Sequence, residues 1–362
     1  MKIALDHTIF LMQPYGGISR YFYCLLKELI ENKIDIKVIS ALHKNKFLKS
    51  LSGKYTSGIY LPNYPLLDVL ERYNNFNFNR YIRDNSTNII HDTYYTSNIK
   101  KPLKTKKVIT VHDLIHEKFQ NFYRNAENEI DKKKKSFVDC DHFICVSNNT
   151  KKDLLQYYDI EKSKISVIYH GANHLSKKLD KIYLKTNDPY ILFVGKRAKY
   201  KNFIFLLKTY AKSMKLMKNF KIVCFGGDSF NKNEIKLIDK LKIGKNIIHV
   251  KGNDELLGTY YFYARALISP SLYEGFGLNI IEAMSFNCPV ICSNIDVFRE
   301  ICKENAIYFD PYNEDELLNN LENYLFKDNF LKNLSLNAND NAKKFTWKKN
   351  STDTINVYKE LI

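Results

Sequence analysis

The chain has 362 residues, an ordinary apolar share of 45% and a formal net charge of +17. That length exceeds what one hydrophobic core usually organises and suits two domains. No apolar run approaches the roughly 18 residues that cross a bilayer, and seven cysteines without a C-x-x-C pair fit buried reduced thiols better than a disulfide scaffold.

The opening MKIALDHTIF is broken by Asp6 and His7, and it reads as a first β-strand, not a signal peptide. Further strands are expected at 35–40, 88–91, 107–111, 142–146 and 164–169, then at 190–195, 220–226, 246–250, 266–270, 289–293 and 306–309. Continuous apolar strands between longer helical patterns specify an α/β chain with two doubly wound, Rossmann-like parallel sheets. The segment HLSKKLDKIYLKTNDP, polar and lysine-rich with a turn at Asn187-Asp188-Pro189, reads as the linker. Domains are therefore expected at 1–175 and 186–345, followed by an amphipathic helix at 350–362.

Charge is gathered at Lys100–Lys107 (KKPLKTKK) and Lys132–Lys135. No helix-turn-helix, zinc finger or ribonucleoprotein aromatic motif accompanies it, so nucleic acid is not an expected partner. An anionic membrane surface would attract such clusters at about 1 kcal/mol per basic residue. A generally lysine-heavy composition accounts for them without any partner.

Several stretches carry candidate chemistry. In PYGGISRYF, Gly16 and Gly17 stand at a strand-to-helix turn, where amides can approach a phosphate or where the chain simply turns tightly. In VITVHDLIHEKF, His112 and Asp113 follow a strand. His116 has metal-pair spacing from His112, but no third ligand follows, and Asp113 reads equally as a helix cap. Asp139-Cys140-Asp141 precedes a strand instead of following one, so it is not read as a metal motif. The strand ending at Gly195 runs into KRAKYKNF, whose Lys196, Arg197, Lys199 and Lys201 form either an anion cradle or a solvated loop. Last comes SPSLYEGFGLNIIEAM, with Glu274 and Glu282 separated by seven residues. Gly275 and Gly277 allow close backbone approach, and a helix opening near Leu278 directs free N–H groups at the same spot.

PSLYEGFGLNIIEAM, followed by CPVICSN and REI, resembles the donor-binding signature of retaining glycosyltransferases of family 4. That resemblance implies a GT-B fold, two Rossmann-like domains facing across a cleft, with the terminal helix returning to the first. It implies Gly16 and Gly17 beside the donor phosphates, and His112 near the transferred sugar and the acceptor. The family pattern of a glycine, an arginine and a later lysine maps onto Gly195, either Lys196 or Arg197, and Lys201. Glu282 would grip the ribose, while Glu274 and the backbone of Gly275, Phe276, Gly277 and Leu278 hold the sugar. Asn279 departs from the pattern, which often has proline there.

The implied reaction is retaining transfer of a hexosyl group from GDP-mannose or a UDP-sugar to a glycan or lipid-linked hydroxyl, in surface polysaccharide or lipopolysaccharide synthesis. Neither metal nor cofactor is expected. The implied place of action is the cytoplasm, at the inner face of the membrane. An epimerase of the same fold and a non-catalytic nucleotide-sugar binder are the alternatives.

Overall fold

Runs of Ile and Val flanked by helix-forming stretches lack the tight turns that antiparallel hairpins need, so they pair in parallel through crossover helices. The computed structural model describes residues 1–51, 53–63, 67–95, 99–172, 175 and 179–362. The chain divides into two compact units, Met1–His170 with Trp347–Ile362, and Gly171–Thr346. Residues 174 and 176–178 of the expected linker lie outside the described residues.

In the first unit the strands are β1 (Lys2–Leu5), β2 (Asp35–His43), β3 (Thr56–Tyr60), β4 (Ile89–Asp92), β5 (Lys106–Val111), β6 (His142–Cys145) and β7 (Ile165–Val167). Their order is β3-β2-β1-β4-β5-β6-β7, and every described pairing is parallel. In the second unit they are β8 (Tyr190–Val194), β9 (Lys221–Phe225), β10 (Ile247–Val250), β11 (Ala266–Ser269), β12 (Val290–Ser293) and β13 (Ile307–Phe309). Their order is β10-β9-β8-β11-β12-β13, again parallel. Each sheet reverses direction beside its own first strand, at β1/β4 and at β8/β11. The helices that matter below are α1 (Gly17–Glu31), α2 (Leu67–Asp84), α3 (Ala126–Val138), α4 (Lys232–Lys240), α5 (Asp254–Tyr263), α6 (Leu278–Ser285) and α7 (Trp347–Glu360).

All twelve strands expected from the sequence are present, and β3 is additional. β3 is a short edge strand with little buried surface, so its residues lack the apolar run that marked the others. Its pairing also depends on Gly58. A methyl group there would lie only 1.7 Å from the carbonyl oxygen of Ser40, beside a bulge between Ile39 and Leu42.

The seven cysteines are free and buried. The second unit's core gathers Phe193, Phe203, Leu206, Tyr210, Ile268, Ile291 and Phe309 around its sheet. In the first unit, helix α7 contributes Trp347, Ile355, Val357 and Tyr358 to the cluster built by Tyr21, Phe22 and Leu25 of α1. Buried polar groups lock the same region. Asp6, wholly buried just past β1, accepts the Thr93 backbone N–H at 2.6 Å and the hydroxyls of Thr8 and Thr93, joining the ends of β1 and β4. Asp92 pairs with Lys107 at 3.0 Å, both buried, and burial pushes its carboxyl up to about 7. His91 Nδ1 lies 2.5 Å from the Tyr358 hydroxyl of α7, and its Nε2 lies 2.8 Å from Thr110 Oγ1.

Burial lowers His91 to about 3 from an ordinary 6.5. The fold therefore holds His91 neutral, while the unfolded chain takes up a proton as the pH falls through 6.5. Its stabilisation is complete above 6.5 and erodes on acidification. Asp92, shifted upward, works in the opposite sense, so a variant comparison is needed to isolate the histidine. His91→Gln should destabilise the protein near neutral pH, and that difference from wild type should shrink by about 2 kcal/mol at about pH 5. Urea unfolding at the two pH values measures it; an unchanged difference would contradict this role for His91.

Candidate functional site

Ligands of open parallel sheets sit where the strand order reverses, because two adjacent loops leave in opposite directions there. In the second unit that place is the junction of β8 and β11, whose pairing sets Ile191 against Ala266 and Leu192 against Leu267. β8 ends at Val194, and Gly195, with φ at +113°, leads the chain into the cationic stretch 196–203. β11 ends at Ser269 and leads into 270–277. The two loops are tied twice. The Leu272 N–H donates to the Tyr200 carbonyl at 2.7 Å. Lys201 Nζ donates to Glu274 Oε1 at 2.5 Å, and Ser271 Oγ donates to the same oxygen at 2.7 Å. The two charged side chains retain 16% and 11% of their exposure, so the pair is sheltered yet reachable. Two residues that the sequence suggested for separate parts of a ligand thus meet in one contact.

Helix α6 opens at once behind this pair. Gly277 caps it with φ at +104°, and a methyl group there would lie 2.9 Å from ring carbon Cε1 of Phe298. Leu278 begins the helix, so its first N–H groups are directed back toward the loop that carries Glu274, Gly275 and Phe276. Asn279, where proline often stands, instead sets its Nδ2 3.5 Å from Ser269 Oγ at the end of β11. Glu282 is only 2% exposed and accepts the Tyr261 hydroxyl of α5 at 2.8 Å. It belongs to a helix turn whose other members, Ile280, Ile281, Ala283 and Met284, are also buried.

The cations after β8 divide sharply. Arg197 turns inward: its Nε donates to Glu234 Oε1 at 2.8 Å and its Nη2 donates to the Asp228 carbonyl. The Phe230 ring lies 4.6 Å below the guanidinium. Glu234 also closes a capping box with Asn231 at the start of α4, where its Oε2 accepts the Asn231 N–H at 2.7 Å. Arg197 therefore braces the loop after β9, and only its buried Nη1 has no partner among the described residues. Lys196 is exposed and has no ion pair or hydrogen bond among the described residues. Of the two neighbours that could fill the family's arginine position, the exposed one is the lysine.

In the first unit, Gly16 caps α1 in an extended conformation and Gly17 is its exposed first residue. A methyl group on Gly16 would meet only the movable end of Gln13, and nothing stands within 4 Å of one on Gly17, so space remains on this turn. Tyr21, one turn further along α1, packs edge-on against His112 with ring centroids 5.1 Å apart. His112 follows β5, is buried, and has an Nε2 with no hydrogen-bond partner among the described residues. Burial lowers it to about 4, so the ring is neutral near pH 7. Asp113 accepts the Ile115 N–H at 3.1 Å, a local cap. No group of three His, Cys, Asp or Glu side chains able to hold a metal occurs among the described residues. Asp141 is occupied by Lys101 at 2.7 Å and by the Lys107 N–H at 2.7 Å.

Four supporting residues were not read from the sequence: Tyr261, Ser271, Glu234 and Lys133. Lys133 is wholly buried within its four-lysine run, donating to Glu117 at 2.7 Å and to the Asp113 carbonyl at 3.2 Å, which fixes the loop carrying His112. Only Glu234 left a local signal, as the fourth residue of an N-x-x-E capping box.

The comparisons agree with this architecture. Residues 15–174 match the model of Glycosyltransferase Family 4, and residues 176–345 match that of Glycosyl transferases group 1. A solved structure, sucrose-phosphate synthase from Thermosynechococcus elongatus, superposes with a TM-score of 0.81 at 20% identity, covering 100% of this chain and 99% of that one. O-antigen chain mannosyltransferase RfbU of Salmonella typhimurium is 34% identical over 223 residues, which span 59% of this chain and 59% of that protein. O-antigen chain mannosyltransferase B of Escherichia coli is 38% identical over 108 residues, 30% of this chain and 28% of that protein. The matched part is thus under two thirds of the length of either mannosyltransferase. Two parallel-sheet α/β units of this topology define the GT-B fold. The chain belongs to the family 4 type of glycosyltransferases within it.

Gly277→Ala places a Cβ in a left-handed position and against Phe298. It should lower stability by about 2 kcal/mol through strain and displacement, read as a reduced urea midpoint. An unchanged midpoint would show that the α6 entry does not need glycine.

Proposed function

We propose that this protein transfers a hexosyl group, with retained anomeric configuration, from a nucleoside diphosphate sugar to a hydroxyl of a glycan or lipid-linked acceptor. The observation that carries the reading is the Lys201–Glu274 pair at the β8/β11 reversal, with the N-terminus of α6 directly behind it. A carboxylate beside a cation and the first backbone amides of a helix suits a ligand that is polyhydroxylated at one end and anionic at the other. The related O-antigen mannosyltransferases favour a mannosyl donor, GDP-mannose first and a UDP-sugar second, and a role in surface polysaccharide or lipopolysaccharide synthesis on the cytoplasmic side.

In this mechanism, departure of the nucleotide builds negative charge on the diphosphate. Lys201 exchanges its carboxylate for a phosphate oxygen, and Lys196 supplies a second cation. The amides opening α6 are fixed in place before the charge develops, so they stabilise it without reorganisation. Arg197 acts mainly by bracing the loop after β9, with Nη1 as its one unused donor. Glu274, released by Lys201, accepts hydrogen bonds from sugar hydroxyls together with the 275–278 backbone. Glu282, oriented by Tyr261, takes the ribose hydroxyls. By family resemblance Gly16 and Gly17 contact the donor phosphates. His112, neutral near pH 7, is suited to accepting a hydrogen bond from a sugar hydroxyl. Same-face attack, with the leaving phosphate taking the acceptor proton, then gives retention without a dedicated base. Neither a metal nor a cofactor has a step in this scheme.

The correct donor should raise the melting temperature, since saturation at a hundred times Kd stabilises by about 2.7 kcal/mol. With that donor and an acceptor glycan, Lys196→Ala should raise the donor KM roughly ten-fold or more, the loss of one charge-assisted contact, at an unchanged melting temperature. Arg197→Ala should instead lower the melting temperature. Glu274→Ala should abolish transfer, and unimpaired transfer by that variant would refute the assignment. Conversion of the donor with no acceptor present would point to an epimerase, and an inverted product would refute retention.

A further inference from the structure

Helix α2 of the first unit turns Asn74, Asn75, Phe78 and Ile82 inward. Its opposite side carries Val69, Tyr73 and Phe76, exposed by 57%, 51% and 65%. Arg72, Arg80 and Arg83 are exposed among them. At 3.6 residues per turn these six side chains fall within about a third of the helix circumference. Asp68 and Glu71 lie outside that stripe, and Asp84 sits at its margin, 3.6 Å from Arg80 and 3.0 Å from Arg83. An ordinary surface helix shows its polar face to water. This one shows an aliphatic and two aromatic side chains interleaved with arginines.

A second element joins the stripe. Ile99 packs with Phe78 and Ile82 under α2, and the Lys100 N–H donates to Asn79 Oδ1 at 2.9 Å. The chain then closes a tight turn, the Thr105 N–H donating to the Pro102 carbonyl at 3.0 Å. Leu103 and Lys104 form its tip, and Leu103 is as exposed as in an extended chain, at 104%. Lys101 is held by Asp141, whereas Lys100 and Lys104 face solvent. A leucine presented on a turn between lysines, in a segment bonded to the helix that carries the exposed aromatics and arginines, is costly in water and fits a surface that is apolar inside and anionic outside.

We infer that α2 and the 100–104 turn form a face that seats on an anionic phospholipid bilayer. Leu103 and Phe76 enter the boundary of the acyl chains, and Tyr73 lies at headgroup depth. Arg72, Arg80, Arg83, Lys100 and Lys104 meet the phosphates. The two contributions act together, apolar insertion and charge, as stable interfacial binding requires. This assignment stands apart from the proposed reaction, because it concerns only exposed residues of the first unit.

The test is sedimentation of the full chain with phosphatidylcholine vesicles, with and without phosphatidylglycerol. The wild type should bind the phosphatidylglycerol vesicles, bind the neutral ones far less, and detach as salt is raised. Each of Arg72→Gln, Arg80→Gln and Arg83→Gln should weaken binding about five-fold, the equivalent of one basic residue near the surface. Leu103→Asp and Phe76→Glu should reduce the bound fraction further, while Ile235→Asp, an exposed residue of the second unit, should leave it unchanged. All these positions are exposed, so an unaltered melting temperature confirms intact folding. Absence of wild-type binding to phosphatidylglycerol vesicles, or a Phe76→Glu/Leu103→Asp double variant that binds like wild type, overturns the inference. Self-association of the wild type through this face without vesicle binding overturns it as well.

Discussion

A parallel sheet that starts in its middle and grows first to one side and then to the other must leave one gap between crossover connections. At that gap the loops after two neighbouring strands diverge, and no helix covers them. In the second unit the geometry of the candidate site hangs on this constraint. β8 and β11 end side by side, so residues 73 positions apart, Lys201 and Glu274, come within 2.5 Å. The backbone bond from Leu272 to Tyr200 holds the loops in that relation without relying on the charged pair. The frame formed by the two loops is thus separate from the contact between the two charges.

The same economy governs the buried polar groups. Arg197, Glu234 and the cap of α4 bond to one another, and Tyr261 donates to Glu282. In the first unit Asp6 joins β1 to β4, and Lys133 fastens the loop that carries His112. The bond from Tyr261 to Glu282 joins two helices, and each of the others ties a strand-end loop to a helix or to a neighbouring strand, which is how polar residues can be buried while keeping hydrogen bonds.

Much of this was legible in the sequence, and the reasons are physical. Strands buried on both faces must be continuously apolar, so twelve of them could be read directly, along with the α/β class. Gly277 and Leu278 could be placed at the start of a helix because a glycine turn followed by an apolar helical run is a local signal. β3 escaped because an exposed edge strand needs no apolar run. The inward turn of Arg197 escaped because it depends on Glu234, 37 residues away, and on the conformation of the intervening glycines. Lys133 was hidden in a run of identical residues, of which the fold selects one for burial. Residue type gave the candidates; only the packing distinguished a cation that braces a loop from one that is offered to solvent.

Helix α7 follows the whole second unit in the chain, yet it fills the core of the first unit, with Trp347 against Tyr21 and Tyr358 against His91. During synthesis the residues of the second unit, 171–346, leave the ribosome before that helix does. The first unit must therefore wait, its apolar surface on α1 open, until residues 347–360 have left the ribosome. Order of manufacture and order of completion are reversed between the two units: the one begun earlier is completed later.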